Sequence, residues 1–217
     1  DKIICSGPKY LDILKNAGFP KDRLIAGPNL RFPSLHKGCR AVKKNIKRPN
    51  VLLPLTFDND LAYDQIHKIK KISNYFPELT VYIRRHKLYS WQFNELEEFL
   101  DEIGMDNYHF ADDGTAQDWL SNTDIVLSTG GTIVMLESVI MGVPLIKIEP
   151  DNNFFLDPTA WIDYPLKPLN SSDEIRKAIS LILGVDKNYS YKLKKIGKNV
   201  LSNYLTKANN KNLYVFN

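Results

Sequence analysis

The sequence predicts an α/β fold in which a parallel sheet carries helices on both faces. Two observations support this. From Val51 onward, short apolar runs rich in β-branched residues alternate with helical patterns in β-α-β-α order. Those runs are too apolar to have a wet face, so helices should cover both sides of the sheet through right-handed crossovers.

The chain supports this reading element by element. Ile3 to Ser6 reads as a short strand, ended by Gly7-Pro8. Lys9 to Ala17 is helical, with Tyr10, Leu11, Ile13, Leu14 and Ala17 apolar and Gly18 as the stop. Leu24 to Ala26 is a strand running into Gly27-Pro28, and the polar, basic stretch Ser34 to Asn50 suits a surface connection at a domain boundary. Val51 to Leu55 is the next strand. Asp58-Asn59-Asp60 caps a helix whose apolar positions are Leu61, Ala62, Ile66, Ile69, Ile72 and Phe76. Leu79 to Ile83 is a strand followed by Arg84-Arg85-His86-Lys87, and Trp91 to Ile103 is a helix. Tyr108 to Ala111 is a strand, Asp112-Asp113-Gly114 a loop and Ala116 to Leu120 a short helix.

The stretch Asp124 to Pro150 is the most informative. Ile125 to Leu127 is a strand, Ser128 to Thr132 a polar turn, and Thr132 to Met141 a helix with Ile133, Leu136 and Ile140 on one face. Gly142 stops it and Val143 to Ile148 forms the next strand. Asp151 to Pro168 is loop-rich, and helices over Ser172 to Leu183 and Tyr189 to Leu205 close the chain. This divides the chain into residues 1–48, the end of a preceding domain and its connection; 49–185, the main α/β domain; and 186–217, C-terminal helices.

Composition narrows the function classes. With 217 residues, 43% hydrophobic and 25% charged, the chain can bury a proper core. Net charge is only +4, and lysine clusters are short, at Lys43-Lys44, Lys68 to Lys71 and Lys192 to Lys195. Solvated lysine faces account for these better than nucleic acid, so no nucleic-acid partner is expected; contact with anionic lipid headgroups stays open. Cys5 and Cys39 show neither CxxC nor metal spacing and suit a reducing, cytoplasmic compartment. No apolar run approaches ~18 residues, and no signal peptide is visible. Lys2 to Cys5 is already strand-like, so the chain reads as a piece of a longer protein.

The turn Ser128-Thr129-Gly130-Gly131-Thr132 suggests anion binding. A helix starting after a Gly-Gly turn points unpaired N–H groups and its positive dipole end at the loop, where a phosphate can sit. A ligand-free capped turn uses the same residue types, so the turn alone leaves both readings open. Its neighbours favour the phosphate. In a parallel sheet, ligands bind beyond the carboxyl ends of the strands. There the cations Arg84, His86 and Lys87 join the turn. Glu137, on the following helix, can accept from two ribose hydroxyls; a structural Glu favoured by the dipole is the alternative. Asp58-Asn59-Asp60 mimics a metal-binding DxD, but a helix cap explains it and no metal is expected. Trp119 and Trp161 are assigned to packing. No Ser-His-Asp order, zinc spacing or P-loop is present.

Ser128-Thr-Gly-Gly-Thr132, Glu137 and Gly142-Val-Pro144 resemble the donor-binding, C-terminal Rossmann-like domain of GT-B glycosyltransferases. Leu24-Ile-Ala-Gly-Pro-Asn-Leu-Arg31 is similar to that family's junction into the second domain. The resemblance implies a nucleotide-sugar donor, CMP-, CDP- or UDP-linked, with no separate cofactor. Its phosphates would lie on Ser128 to Thr132 with Arg84 and Lys87, its ribose on Glu137 and its base near Phe110 and Ala111. Arg84, His86 and Lys87 also resemble the His-containing loop of sialyl- and Kdo-type transferases, which implies a catalytic role for His86. Lys87 stands where those enzymes carry proline. Their acidic-acidic-Gly motif precedes the His, whereas Asp112-Asp113-Gly114 follows it here, so no role transfers to Asp112 or Asp113. The resemblance further implies a glycan or lipid-linked acceptor, a general base on a missing N-terminal domain, and a cytoplasmic location with peripheral inner-membrane contact left open. A non-hydrolysing nucleotide-sugar epimerase and a non-catalytic binding module are the alternative readings.

Overall fold

A computed structural model describes residues 2–30, 47–86, 93–151, 157–184, 187–209 and 213. The expectations for Arg31, residues 34–46 with Cys39, Lys87, Trp91, and Asn152 to Phe155 lie outside them. Strand β1 (Ile3–Cys5), helix α1 (Pro8–Asn16) and strand β2 (Leu24–Ala26) form a β-α-β unit, with Ile3 opposite Leu24 in parallel register. Pro8 at the first turn of α1 is favourable because that position needs no N–H.

The main sheet contains β3 (Asn50–Pro54), β4 (Thr80–Arg84), β5 (Tyr108–Phe110), β6 (Ile125–Ser128) and β7 (Leu145–Lys147). All five are parallel, in the order β5-β4-β3-β6-β7. Alternation along β3 sends Val51 and Leu53 to one face and Leu52 to the other. The first face is covered by α2 (Asn59–Ser73), α3 (Phe93–Glu102) and α6 (Ser172–Leu183), through Ile66, Ile69, Leu96, Leu100, Ile175 and Ile179. The second is covered by α4 (Ala116–Leu120), α5 (Val134–Met141) and α7 (Lys187–Tyr204), through Leu120, Met135, Val139, Leu193 and Val200. The expected parallel sheet with helices on both faces is therefore what the chain forms.

Three differences matter near the site. α5 begins at Val134, two residues later than the pattern predicts. Gly130 and Gly131 take φ of 98° and 67°, and the Thr132 hydroxyl then accepts from the Val134 N–H at 3.3 Å, so the turn consumes Thr132 and Ile133. α5 is also buried from Val134 through Ile140 rather than on one face. It lies between the sheet and α7, which passes so close that a Cβ on Gly197 would sit 2.5 Å from the Ile140 carbonyl oxygen. β7 is shorter than predicted because the Val143 N–H closes α5 onto the Ser138 carbonyl at 2.9 Å and Pro144 has no N–H to give.

The end of α7 returns to the first unit. The Thr206 N–H donates to the Ser6 carbonyl at 2.7 Å, the Asn29 N–H donates to the Thr206 carbonyl at 2.7 Å, and Trp161 stacks on Tyr204 beside Tyr10. Among the described residues no helix is long and apolar enough to cross a membrane.

Candidate functional site

β3 and β6 are neighbours, but β3 feeds α2 on one face and β6 feeds α5 on the other. Loops that part at such a switch point leave a crevice at the carboxyl edge of the sheet. A cavity of about 710 Å³ opens there, lined by Leu55, Arg85, His86, Gln117, Thr132 and Glu137, with Gly131, Ile133 and Val134 at its inner end.

The inner end is built by backbone geometry. Gly131 has φ of 67°, and a Cβ there would lie 2.8 Å from the Thr56 hydroxyl, so the two loops meet with no room for a side chain. The Ser128 hydroxyl accepts from the Gly130 N–H at 3.3 Å and shapes the turn from within. Among the described residues none accepts a hydrogen bond from the N–H of Gly131, Thr132 or Ile133. These three consecutive donors stand at the positive end of α5, an arrangement suited to an anion.

Glu137 falls in the first turn of α5, closer to the turn than the sequence pattern places it, because the helix starts late. The residue is 5% exposed, and its carboxylate accepts from Gln117 Nε2 at 3.3 Å. Gln117 is held by α4, whose start is a capping box. The Thr115 hydroxyl accepts from the Asp118 N–H, and the Asp118 carboxylate accepts from Thr115 N at 2.8 Å and Oγ1 at 2.7 Å. Those bonds from Thr115 hold the Asp118 carboxyl below its ordinary range.

The predicted residues separate into two groups. Gly131, Thr132, Glu137, Arg84 and His86 line the cavity. His86 meets Phe57 edge-on at a centroid distance of 5.9 Å. Ser128, Thr129 and Gly130 lie behind it: Ser128 and Thr129 are buried, and the Thr129 hydroxyl donates to Gln65 Oε1 at 3.1 Å. Arg84 reaches the cavity wall but directs its guanidinium at the carbonyls of Ala111, Asp113 and Gly114, where it braces the β5–α4 loop. Ala111 is fully buried, its carbonyl accepts from Arg84 and its N–H donates to the Ile83 carbonyl at 2.7 Å. Phe110 packs against Tyr108 and beneath the Arg85 guanidinium. Neither Phe110 nor Ala111 lines the cavity, so the wall expected from them is supplied by Thr115, Ala116 and Gln117.

Sequence reasoning did not single out Arg85, Gln117 or Gln65. Arg85 sits within the predicted cationic loop, and its Nε pairs with Asp112 at 2.6 Å. Alternation after β4 offered a signal for it. Gln117 and Gln65 belong to no motif. The DxD-like Asp58 is the α2 cap, its carboxylate accepting from the Leu61 N–H at 3.1 Å.

No known protein family and no curated protein matches the chain by sequence. Solved structures do. The UDP-GlcNAc 2-epimerase of Neisseria meningitidis bound to UDP-GlcNAc aligns over 99% of this chain and 60% of its own, at 14% identity and a TM-score of 0.59. Staphylococcus aureus MnaA with UDP aligns over 95% and 56%, at 11% identity and 0.62. The pneumococcal O-GlcNAc transferase GtfA with UDP and GlcNAc aligns over 100% and 44%, at 16% identity and 0.52. The chain thus spans 44% to 60% of these proteins. At such identities the likeness establishes architecture: this chain has the Rossmann-like α/β fold of the C-terminal type of domain found in GT-B glycosyltransferases and UDP-GlcNAc 2-epimerases.

Proposed function

We propose that this chain is the donor-binding part of a glycosyltransferase that moves a sugar from a nucleotide-sugar to a cell-surface glycan or lipid-linked acceptor. The observation behind the reading is the convergence, around one cavity, of the Gly131–Ile133 N–H groups, the Glu137 carboxylate and the Arg85–His86 edge. In this reading the donor phosphates sit on Gly131 and Thr132 at the start of α5. The ribose hydroxyls donate to Glu137, which Gln117 holds in place, and the base lies along the α4 start.

Departure of the nucleotide builds negative charge on its terminal phosphate. In this reading preorganised backbone N–H groups and the α5 dipole stabilise that charge without reorganising, and His86 donates to a phosphate oxygen. The general base and the acceptor site belong outside this chain. Of the expected donors, UDP-linked sugars have the most support, because the solved relatives described above are complexes with UDP or UDP-GlcNAc.

Calorimetric titration of UDP, CDP and CMP, each with and without EDTA, tests the reading. Binding of a uridine nucleotide that survives EDTA supports it; no heat from any of the three defeats it. The epimerase reading is favoured by one observation: the N. meningitidis epimerase aligns over 60% of its own length at a TM-score of 0.59, against 44% and 0.52 for GtfA. Product analysis of the full-length protein separates the two, since an epimerase converts a nucleotide-sugar with no acceptor present.

A further inference from the structure

The outer face of α7 is basic. Over its 18 residues the helix carries Lys187, Lys192, Lys194, Lys195 and Lys198 and no acidic residue. Leu193, Gly197 and Val200 are its buried edge. Lys192, Lys195 and Lys198 are exposed on the other side, with Tyr191, 72% exposed, one turn before Lys195. No described residue forms an ion pair with Lys192, Lys195 or Lys198.

Beside this face lies a second groove of about 660 Å³, between α7 and residues 161–163. Lys192, Lys195, Asn199 and Tyr204 of α7 line it together with Trp161 and Asp163, Trp161 stacking on Tyr204 at 3.7 Å; Asp163 is the one acidic residue among its described lining. Two ammonium groups and an amide suit a phosphate-bearing headgroup. The half-buried rings of Trp161 and Tyr204 suit the water–lipid boundary, where one end of the ring is apolar and the other wet. A single-stranded nucleic acid would need several open aromatic faces in a row for base stacking; Trp161 and Tyr204 stack on each other and meet Tyr10 edge-on, which leaves Tyr191 as the one exposed ring of α7.

We infer that this face of α7 docks on an anionic lipid surface, with the groove taking one phosphate-bearing headgroup. The inference does not rest on the donor reading, since α7 contributes nothing to the cavity at the carboxyl edge of the sheet.

The test is cosedimentation of the chain with vesicles of phosphatidylcholine alone and of phosphatidylcholine mixed with phosphatidylglycerol. The chain should bind the mixed vesicles, bind the neutral ones far less, and weaken with added salt. Each lysine near an anionic leaflet is worth about fivefold in binding, so K192Q/K195Q should lose roughly 25-fold. K71Q, at an exposed lysine of α2, should bind as the wild type does. All three positions are on the surface, and circular dichroism checks that the variants fold. Equal binding to both vesicle types, or a K192Q/K195Q variant that binds as the wild type does, overturns the inference. So does a Lys192- and Lys195-dependent affinity for soluble polyphosphate without one for vesicles.

Discussion

The Thr129 hydroxyl donates to Gln65 Oε1 at 3.1 Å, and Gln65 Nε2 in turn donates to the Leu127 carbonyl at 3.0 Å. This buried relay ties the turn after β6 to α2 on the opposite face of the sheet. It makes Thr129 part of the frame that holds the turn rather than a group reaching toward a ligand. Gln65→Leu leaves the Thr129 hydroxyl and the Leu127 carbonyl buried without their partner. It should lower stability by about 2–4 kcal/mol, read by denaturant unfolding, because each stranded buried polar group costs about 1–3 kcal/mol.

Gly131→Ala combines a left-handed φ with a Cβ only 2.8 Å from the Thr56 hydroxyl. The conformation alone costs about 1–2 kcal/mol for a residue with a side chain. The variant should melt at lower temperature and lose nucleotide binding. Gly114→Ala also carries a left-handed φ, with its Cβ position meeting the Asp118 side chain at 3.2 Å, but it lies outside the cavity. It should melt lower and still bind nucleotide.

Gly197→Ala tests the packing of α7 on α5. Its Cβ would lie 2.5 Å from the Ile140 carbonyl oxygen and 2.6 Å from that of Val139. On an open helix the change would help by up to about 1 kcal/mol. Here it should destabilise by about 1–3 kcal/mol, the usual cost of overpacking, by thermal or chemical unfolding.

The Asp118 carboxyl is held below its ordinary range by the Thr115 hydroxyl and N–H. A depressed carboxyl contributes stability above its unfolded value and loses it as pH falls through the lowered folded value. The α4 cap should therefore hold at neutral pH and loosen only in acid, below the ordinary carboxylate range. NMR titration of the Thr115 amide should show this, and Asp118→Asn should remove the acid transition.

The sheet and most helices were legible because their signals are local. Apolar β-branched runs gave β3, β4 and β6 nearly to the residue, and the expected bounds of α6 and α4 match the observed helices, whose starts the structure shows to be capped by Ser171 and Thr115. The start of α5 was not legible, since Thr132 reads equally well as a first helical residue or as the hydroxyl that accepts from Val134 N. The site was half legible. Glu137 and Gly131-Thr132 follow from the strand–turn–helix pattern. Which way Arg84 turns, and that Gln117 meets Glu137, depend on contacts 20 to 30 residues apart that no local spacing encodes.

The most direct measurement is the affinity of Glu137→Gln for UDP by calorimetry, with EDTA present. The substitution keeps the shape of a buried side chain and removes the charge that would accept from the ribose. Hydrogen bonds to charged groups exceed neutral ones by about 1–2 kcal/mol, so binding should weaken roughly tenfold while unfolding stability holds. Wild-type binding that the substitution leaves unchanged would contradict the placement of the ribose on Glu137, and with it the orientation of the donor in the cavity.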